Sequence, residues 1–150
     1  MNIIKDILTN YVLITAAISW LLAQVIKVVL TLITSKKIDW GRMIGSGGMP
    51  SSHSAFVMAL TVATGFTEGF GSGEFAICAC LALVVMYDAT GVRRSAGEHA
   101  KILNKLIDDW GKGNFKDTDK KLKELLGHSP LEVLAGAVLG VVIAVLRYKL

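Results

Sequence analysis

Two histidines stand where polar, small-residue stretches run into apolar ones. His53 lies in Gly45-Ser46-Gly47-Gly48-Met49-Pro50-Ser51-Ser52-His53-Ser54, and His128 lies in Gly127-His128-Ser129-Pro130-Leu131-Glu132. Glycines such as Gly48 let backbone come close to a ligand, and Ser51 or Ser52 is a natural N-cap for the helix that should follow. A helix start with open N–H groups and small hydroxyls is an anion site, for phosphate above all. His53, at that same start, can hold or donate a proton near neutral pH. Cations come from Lys27, Arg42 and the pair closing Tyr87-Asp88-Ala89-Thr90-Gly91-Val92-Arg93-Arg94. Two imidazoles with a lysine and several arginines at helix ends suit phosphoryl transfer without a metal. The cations neutralise phosphate oxygens, one imidazole attacks, and the other protonates the leaving oxygen. No carboxylate cluster with metal-ligand spacing accompanies them, so metal-assisted chemistry ranks second and no cofactor is expected.

Each of these residues also has a plainer reading. The first stretch is equally a glycine-rich turn capped by serine, with His53 exposed at a membrane edge. Ser129-Pro130-Leu131-Glu132 is a capping box with proline at the first helical position. Lys27 could snorkel to headgroups, but it shares a helix face with Gln24, and such pairs more often point into a bundle or cavity. Asp88 fits a supporting role, paired with Arg93 or Arg94, and that arginine pair doubles as a topogenic charge cluster. His99 falls on the polar side of an amphipathic segment. Gly136 and Gly140 form a GxxxG, which serves either a homodimer contact or close packing inside one bundle. Cys78 and Cys80 lie two apart in an apolar run, a spacing that makes no metal motif.

The elements that must carry these groups are apolar helices. At 150 residues the length fits a single domain spanning 1–150, and 53% hydrophobic composition with mean hydropathy +0.55 exceeds that of an ordinary soluble domain. Tyr11 to Ile33 is long enough to span a bilayer. Ala55 to Phe70, Phe75 to Ala89 and Leu131 to Leu146 are shorter apolar runs that need their polar flanks to cross. The expected architecture is an all-α integral membrane bundle of about four transmembrane helices. Met1 to Asn10 is a short amphipathic lead, and Gly69 to Gly73 makes a tight turn. Ile102, Leu103, Leu106, Ile107 and Trp110 recur at helical spacing, and Asp117 to Leu126 repeats the pattern weakly beyond a hinge at Gly111 to Asn114. These amphipathic helices either cap the bundle, the preferred reading, or lie on the membrane surface. Four spans place the loops with Lys36, Lys37, Arg42, Arg93, Arg94 and the later lysines on one face. Lys5, Arg147 and Lys149 fall on the other. The positive-inside bias then puts the motif loops in the cytoplasm, in a bacterial plasma membrane. The basic residues fit phosphate or anionic lipid, and no nucleic-acid-binding motif is present.

Pro50-Ser51-Ser52-His53 resembles the Pro-Ser-Gly-His motif of the type-2 phosphatidic acid phosphatase and vanadium haloperoxidase superfamily. His128-Ser129-Pro130-Leu131-Glu132 is similar to its last motif, a histidine followed four residues later by an aspartate and an apolar helix. The closer resemblance is to that superfamily's divergent branch, labelled acid phosphatase/vanadium-dependent haloperoxidase-related, along nearly the whole chain. Gly47 to Ser54 and Tyr87-Asp88 through Gly91-Val92-Arg93-Arg94 carry it most specifically. The resemblance implies His128 as nucleophile forming a phosphohistidine, Glu132 orienting it, and His53 as general acid. Ser51 and nearby backbone N–H groups, with Ser52 and Gly48 in the same loop, would hold the phosphate. Lys27, Arg42, Arg93 and Arg94 are candidates for the phosphate-binding cations. A lipid phosphate monoester or diphosphate is the implied substrate, and vanadate an implied inhibitor. The chain departs from the superfamily in having no Arg-Pro, Leu122 six residues before His128, Ser52 for glycine and Glu132 for aspartate. Two contrasting readings are a non-catalytic membrane protein that binds or transports a phosphorylated ligand, and a structural bundle with incidental histidines.

Overall fold

The computed structural model describes residues 2–36, 48–110 and 127–150. Among them the chain forms six helices: α1 (Ile3–Leu8), α2 (Tyr11–Ser35), α3 (Ser52–Glu68), α4 (Gly73–Thr90), α5 (Val92–Trp110) and α6 (Pro130–Lys149). Polar side chains mark the starts. Asn10 accepts the N–H of Leu13 at 2.9 Å, and Ser72 accepts that of Phe75 at 3.1 Å. The turn at 69–72 joins α3 to α4 as the glycines there predict, with Gly69 at φ 93°. The weak helix expected over Asp117 to Leu126, and its hinge, lie outside the described residues.

Among the described residues, three stretches are long and apolar enough to cross a bilayer: Tyr11–Thr34, Gly73–Leu106 and Pro130–Lys149. The remaining apolar run, Ala55 to Phe70, is α3, whose 17 residues extend about 26 Å, short of a hydrocarbon layer of about 30 Å. Instead of ringing the bundle, α3 is its centre and packs against α2, α4 and α6. Its buried positions are almost all small: Ser54, Ala55, Ala59, Thr61, Ala63 and Gly65 among them. Apolar side chains gain little by leaving lipid for a helix interface, so close backbone approach and interhelical hydrogen bonds carry the association. Both are present. A Cβ on Gly136 would overlap the Ser51 carbonyl oxygen, and one on Gly140 would sit 2.9 Å from the Ala59 nitrogen. The GxxxG of α6 is therefore occupied by α3 of the same chain. Ser19 donates to the Ala55 carbonyl at 3.1 Å, and Thr61 to the Cys78 carbonyl at 3.1 Å.

These contacts fix the relative depth of the helices. With Ser19 level with Ala55, the start of α3 lies near the level of Ala23, and the remainder of α2 rises about 18 Å beyond it. Gly136 against Ser51 puts the start of α6 about 9 Å beyond it as well. Among the described residues, the first turn of α3 is thus the floor of a recess walled by α2 and α6.

At the other end, Arg147 of α6 donates to the Tyr11 carbonyl at 3.2 Å and the Thr15 hydroxyl at 2.9 Å. Its guanidinium also lies 4.8 Å from the Tyr11 ring centre. Tyr148 stacks on Phe66 with ring centres 4.2 Å apart. Helix α5 departs from the usual amphipathic arrangement. Gly97 and Asn104 are its buried positions among residues 95–106, while Ile102, Leu103 and Leu106 face outward. An outward apolar stripe is unfavourable in water but has a favourable environment at a membrane interface.

Candidate functional site

The floor of the recess is built from serine hydroxyls. Ser51 has extended backbone and caps α3, its oxygen accepting the Ser54 N–H at 3.4 Å and the Ser54 hydroxyl at 3.0 Å. Ser51, Ser52 and Ser54 are all buried. Because Ser51 Oγ accepts both of these bonds, its own hydroxyl hydrogen can be directed at an anion above the helix start. Gly48 approaches this turn with φ 89°, a left-handed conformation that other residues adopt only under strain, and the Met49–Pro50 peptide is cis. The Ser51 N–H donates to the Glu132 carbonyl at 2.9 Å, so the start of α3 is joined directly to the first turn of α6.

That first turn carries the second histidine. His128 is 5% exposed, and its Nδ1 lies 3.0 Å from Glu132 Oε2. The same carboxylate oxygen accepts the Ser129 N–H at 3.1 Å, while Ser129 Oγ accepts the Glu132 N–H at 3.3 Å. Both readings of Glu132 therefore hold in one geometry: it completes a capping box and it grips an imidazole. A carboxylate only accepts, so Nδ1 is the donor and Nε2 is the nitrogen left for chemistry. The His128 backbone N–H donates to the Ala89 carbonyl at 3.1 Å, which ties the imidazole loop to the end of α4.

The remaining candidates are placed differently from one another. Lys27 is 2% exposed and Gln24 5%, so the lysine is inside the bundle and not snorkelled to the headgroups. It lies two turns beyond Ser19 on the same buried face. Its Cα–Cβ bond leans toward the helix start, back toward the level of Ser51. Asp88 is half-buried one residue before Ala89. His53 is exposed and lines a cavity of about 370 Å³ with Ala17, Trp20, Phe56, Val57 and Val85. It thus shares the first turn of α3 with Ser51 and Ser52 but leaves the helix on another side. His99 is exposed on α5, well along the chain from the recess. Arg42 lies outside the described residues, and Arg93 and Arg94 are described as backbone of the first turn of α5 only. Reading the sequence alone missed Ser54, whose hydroxyl braces Ser51; it did mark Gly136 as a close-packing position, though not that the Ser51 carbonyl is what it admits. Ser-x-x-Ser at a helix start was the available signal for the first.

Over residues 8–143 the chain matches the family described as Divergent PAP2 family. The chain belongs to the divergent PAP2 family. It is 44% identical over 154 residues to "Uncharacterized membrane protein YuiD" of Bacillus subtilis (strain 168), covering 95% of this chain and 98% of that protein. No solved structure matches. A divergent PAP2 membrane protein is phosphatase-related, and the matched region takes in α2 to α5 and the first two-thirds of α6, with every motif stretch named above. Within this divergent PAP2 chain, the two histidine motifs that resemble the superfamily are held together by the bond between Ser51 and Glu132. The substitutions Ser52 for glycine and Glu132 for aspartate leave a capped helix start and a gripped imidazole in place.

Proposed function

We propose that the chain is a metal-independent phosphatase that hydrolyses a lipid phosphate monoester or diphosphate through a phosphohistidine. The observation that carries this reading is the 3.0 Å contact between His128 Nδ1 and Glu132 Oε2, in a turn hydrogen-bonded to the serine-capped start of α3. His128 Nε2 attacks phosphorus along the line of the leaving oxygen, and Glu132 stabilises the positive charge that develops on the ring. Backbone N–H groups of the first turn of α3 and the Ser51 hydroxyl hold the non-bridging oxygens, and Lys27 supplies positive charge from the wall. Arg42, Arg93 and Arg94 are assigned to the same phosphate. His53 protonates the leaving oxygen as the P–O bond breaks. It then takes a proton from the water that cleaves the P–N bond and releases inorganic phosphate. A bilayer-embedded recess suits a substrate whose phosphate is anchored by a hydrocarbon chain, and the motif loops are assigned to the cytoplasmic side on charge bias.

The test is phosphate release by purified, detergent-solubilised protein from phosphatidate, polyprenyl mono- and diphosphate and a soluble ester, with chelator present. Release that survives chelator and disappears in His53→Ala and in His128→Ala supports the mechanism. Vanadate binding without release from any substrate supports a ligand-binding protein instead.

A further inference from the structure

The recess has a side door. Helices α2 and α4 each pack on α3, and the crevice between them is the 370 Å³ cavity formed by Ala17 and Trp20 of α2, Phe56 and Val57 of α3, and Val85 of α4. Its sixth lining residue is His53, the imidazole of the motif at the head of α3. Apart from that ring the lining side chains are all apolar. Ala17 and Trp20 are exposed at the crevice, on segments that face the bilayer, so the crevice opens sideways into the acyl layer.

Depth makes the crevice relevant to the substrate. The start of α3 lies near the level of Ala23, only one turn beyond Trp20, whereas α2 and α6 continue past it. A phosphate seated on the Ser51 turn is therefore sunk below the ends of the flanking helices. A hydrocarbon chain attached to it must either climb out along α2 and α6 or leave sideways at its own depth. The crevice lies at that depth, and its one polar wall is His53, the residue assigned above to protonate the leaving oxygen.

We propose that the crevice between α2 and α4 is a lateral slot for the hydrocarbon chain of the phosphorylated substrate, and that Ala17 and Trp20 set which chains fit. This rests on the phosphatase reading of the same site. The volume lies at the small end of the roughly 300–1,000 Å³ typical of small-molecule sites. The slot accordingly receives the leading segment of one chain, not two chains abreast. An amphiphile with a single chain close to its phosphate is the preferred class.

The experiment compares hexadecyl phosphate with water-soluble p-nitrophenyl phosphate in wild type, Ala17→Phe and Trp20→Ala. Ala17 is exposed, so a larger side chain there narrows the slot without entering the core. Ala17→Phe is expected to raise KM for hexadecyl phosphate about tenfold more than KM for the soluble ester. Trp20→Ala is expected to relax discrimination against a branched or double-chain phosphate. Equal changes for both esters in Ala17→Phe, or none, overturn the slot while leaving the phosphatase reading intact. If wild type releases phosphate from nothing, that reading fails and the slot is read by binding. With Trp40→Phe and Trp110→Phe, Trp20 becomes the single tryptophan, and a dibrominated octadecyl phosphate quenches it saturably if the chain enters. Quenching weakened by Ala17→Phe supports the slot, and the absence of saturable quenching overturns it.

Discussion

The two ends of the bundle use charged groups in opposite ways. Where α2 begins and α6 ends, Arg147 is committed to the protein: a carbonyl, a hydroxyl and an aromatic face all belong to its own chain. It ties the last helix to the first span, and a stacked Phe66–Tyr148 pair lies near it. Where α3 and α6 begin, the polar groups brace one another around an opening. Ser54 steadies Ser51, Glu132 steadies His128, and the backbone of Ser51 locks the two motifs together. One end is a fastening, and the other is a set of hydrogen bonds that orient the side chains to which the proposed mechanism assigns the chemistry. A buried or half-buried cation in a membrane chain is thus not by itself a sign of chemistry. What separates Arg147 from the motif end is whether its partners complete the group or aim it.

The sharpest way to break this contrast is to remove the imidazole. His128→Ala is expected to lower kcat by on the order of 10³-fold or more, with the fold retained by circular dichroism. Glu132→Gln separates the two duties of that residue. The amide oxygen still completes the cap, so thermal stability should change by less than about 1 kcal/mol. Loss of the negative charge behind the ring should lower kcat by roughly 10²- to 10⁴-fold. A large fall in stability with little change in kcat would make Glu132 a cap and nothing more. Gly136→Ala pushes a methyl group against the Ser51 carbonyl, and is expected to cost on the order of 1–3 kcal/mol in a detergent unfolding titration. Activity should fall with it, because the displaced turn holds the phosphate in the proposed mechanism. The smallest effect on turnover is expected at the fastening. Arg147→Ala should lower the unfolding midpoint by about 1–2 kcal/mol equivalent while leaving kcat per folded molecule unchanged. A specific loss of kcat there would erase the distinction between the ends.

Much of the layout was legible in advance because it is local. Asn10, Ser51, Ser72 and Ser129 sit at positions where a cap is chemically favoured, and the apolar runs behind them form α2, α3, α4 and α6. Glu132 carried two readings, and four-residue spacing on a helix cannot choose between them because one carboxylate serves both. The depth of α3 was not legible. It depends on how Ser19 meets Ala55 and how Gly136 meets Ser51, contacts between helices that no periodicity encodes. The same gap hid that α3, read as one of the shorter apolar runs, is the centre of the bundle. Arg147 was read as one of a few outer-face charges, since its partners Tyr11 and Thr15 lie at the far end of the chain. The outward apolar stripe of α5 shows the limit of amphipathicity as a guide: the pattern reports two unlike faces, and the surroundings decide which is inside.

The bond between Ser51 and Glu132 also has a meaning for biogenesis. A ribosome delivers α2, α3 and α4 to the membrane well before α6 emerges, so the serine-capped turn enters the bilayer without the helix that completes it. Until the last segment inserts, Ser51 lacks its carbonyl partner and the glycine seam on α6 has nothing to close against. The proposed site is therefore completed only at the final insertion step, and a partly synthesised chain holds the serine-capped turn without His128 and Glu132 beside it.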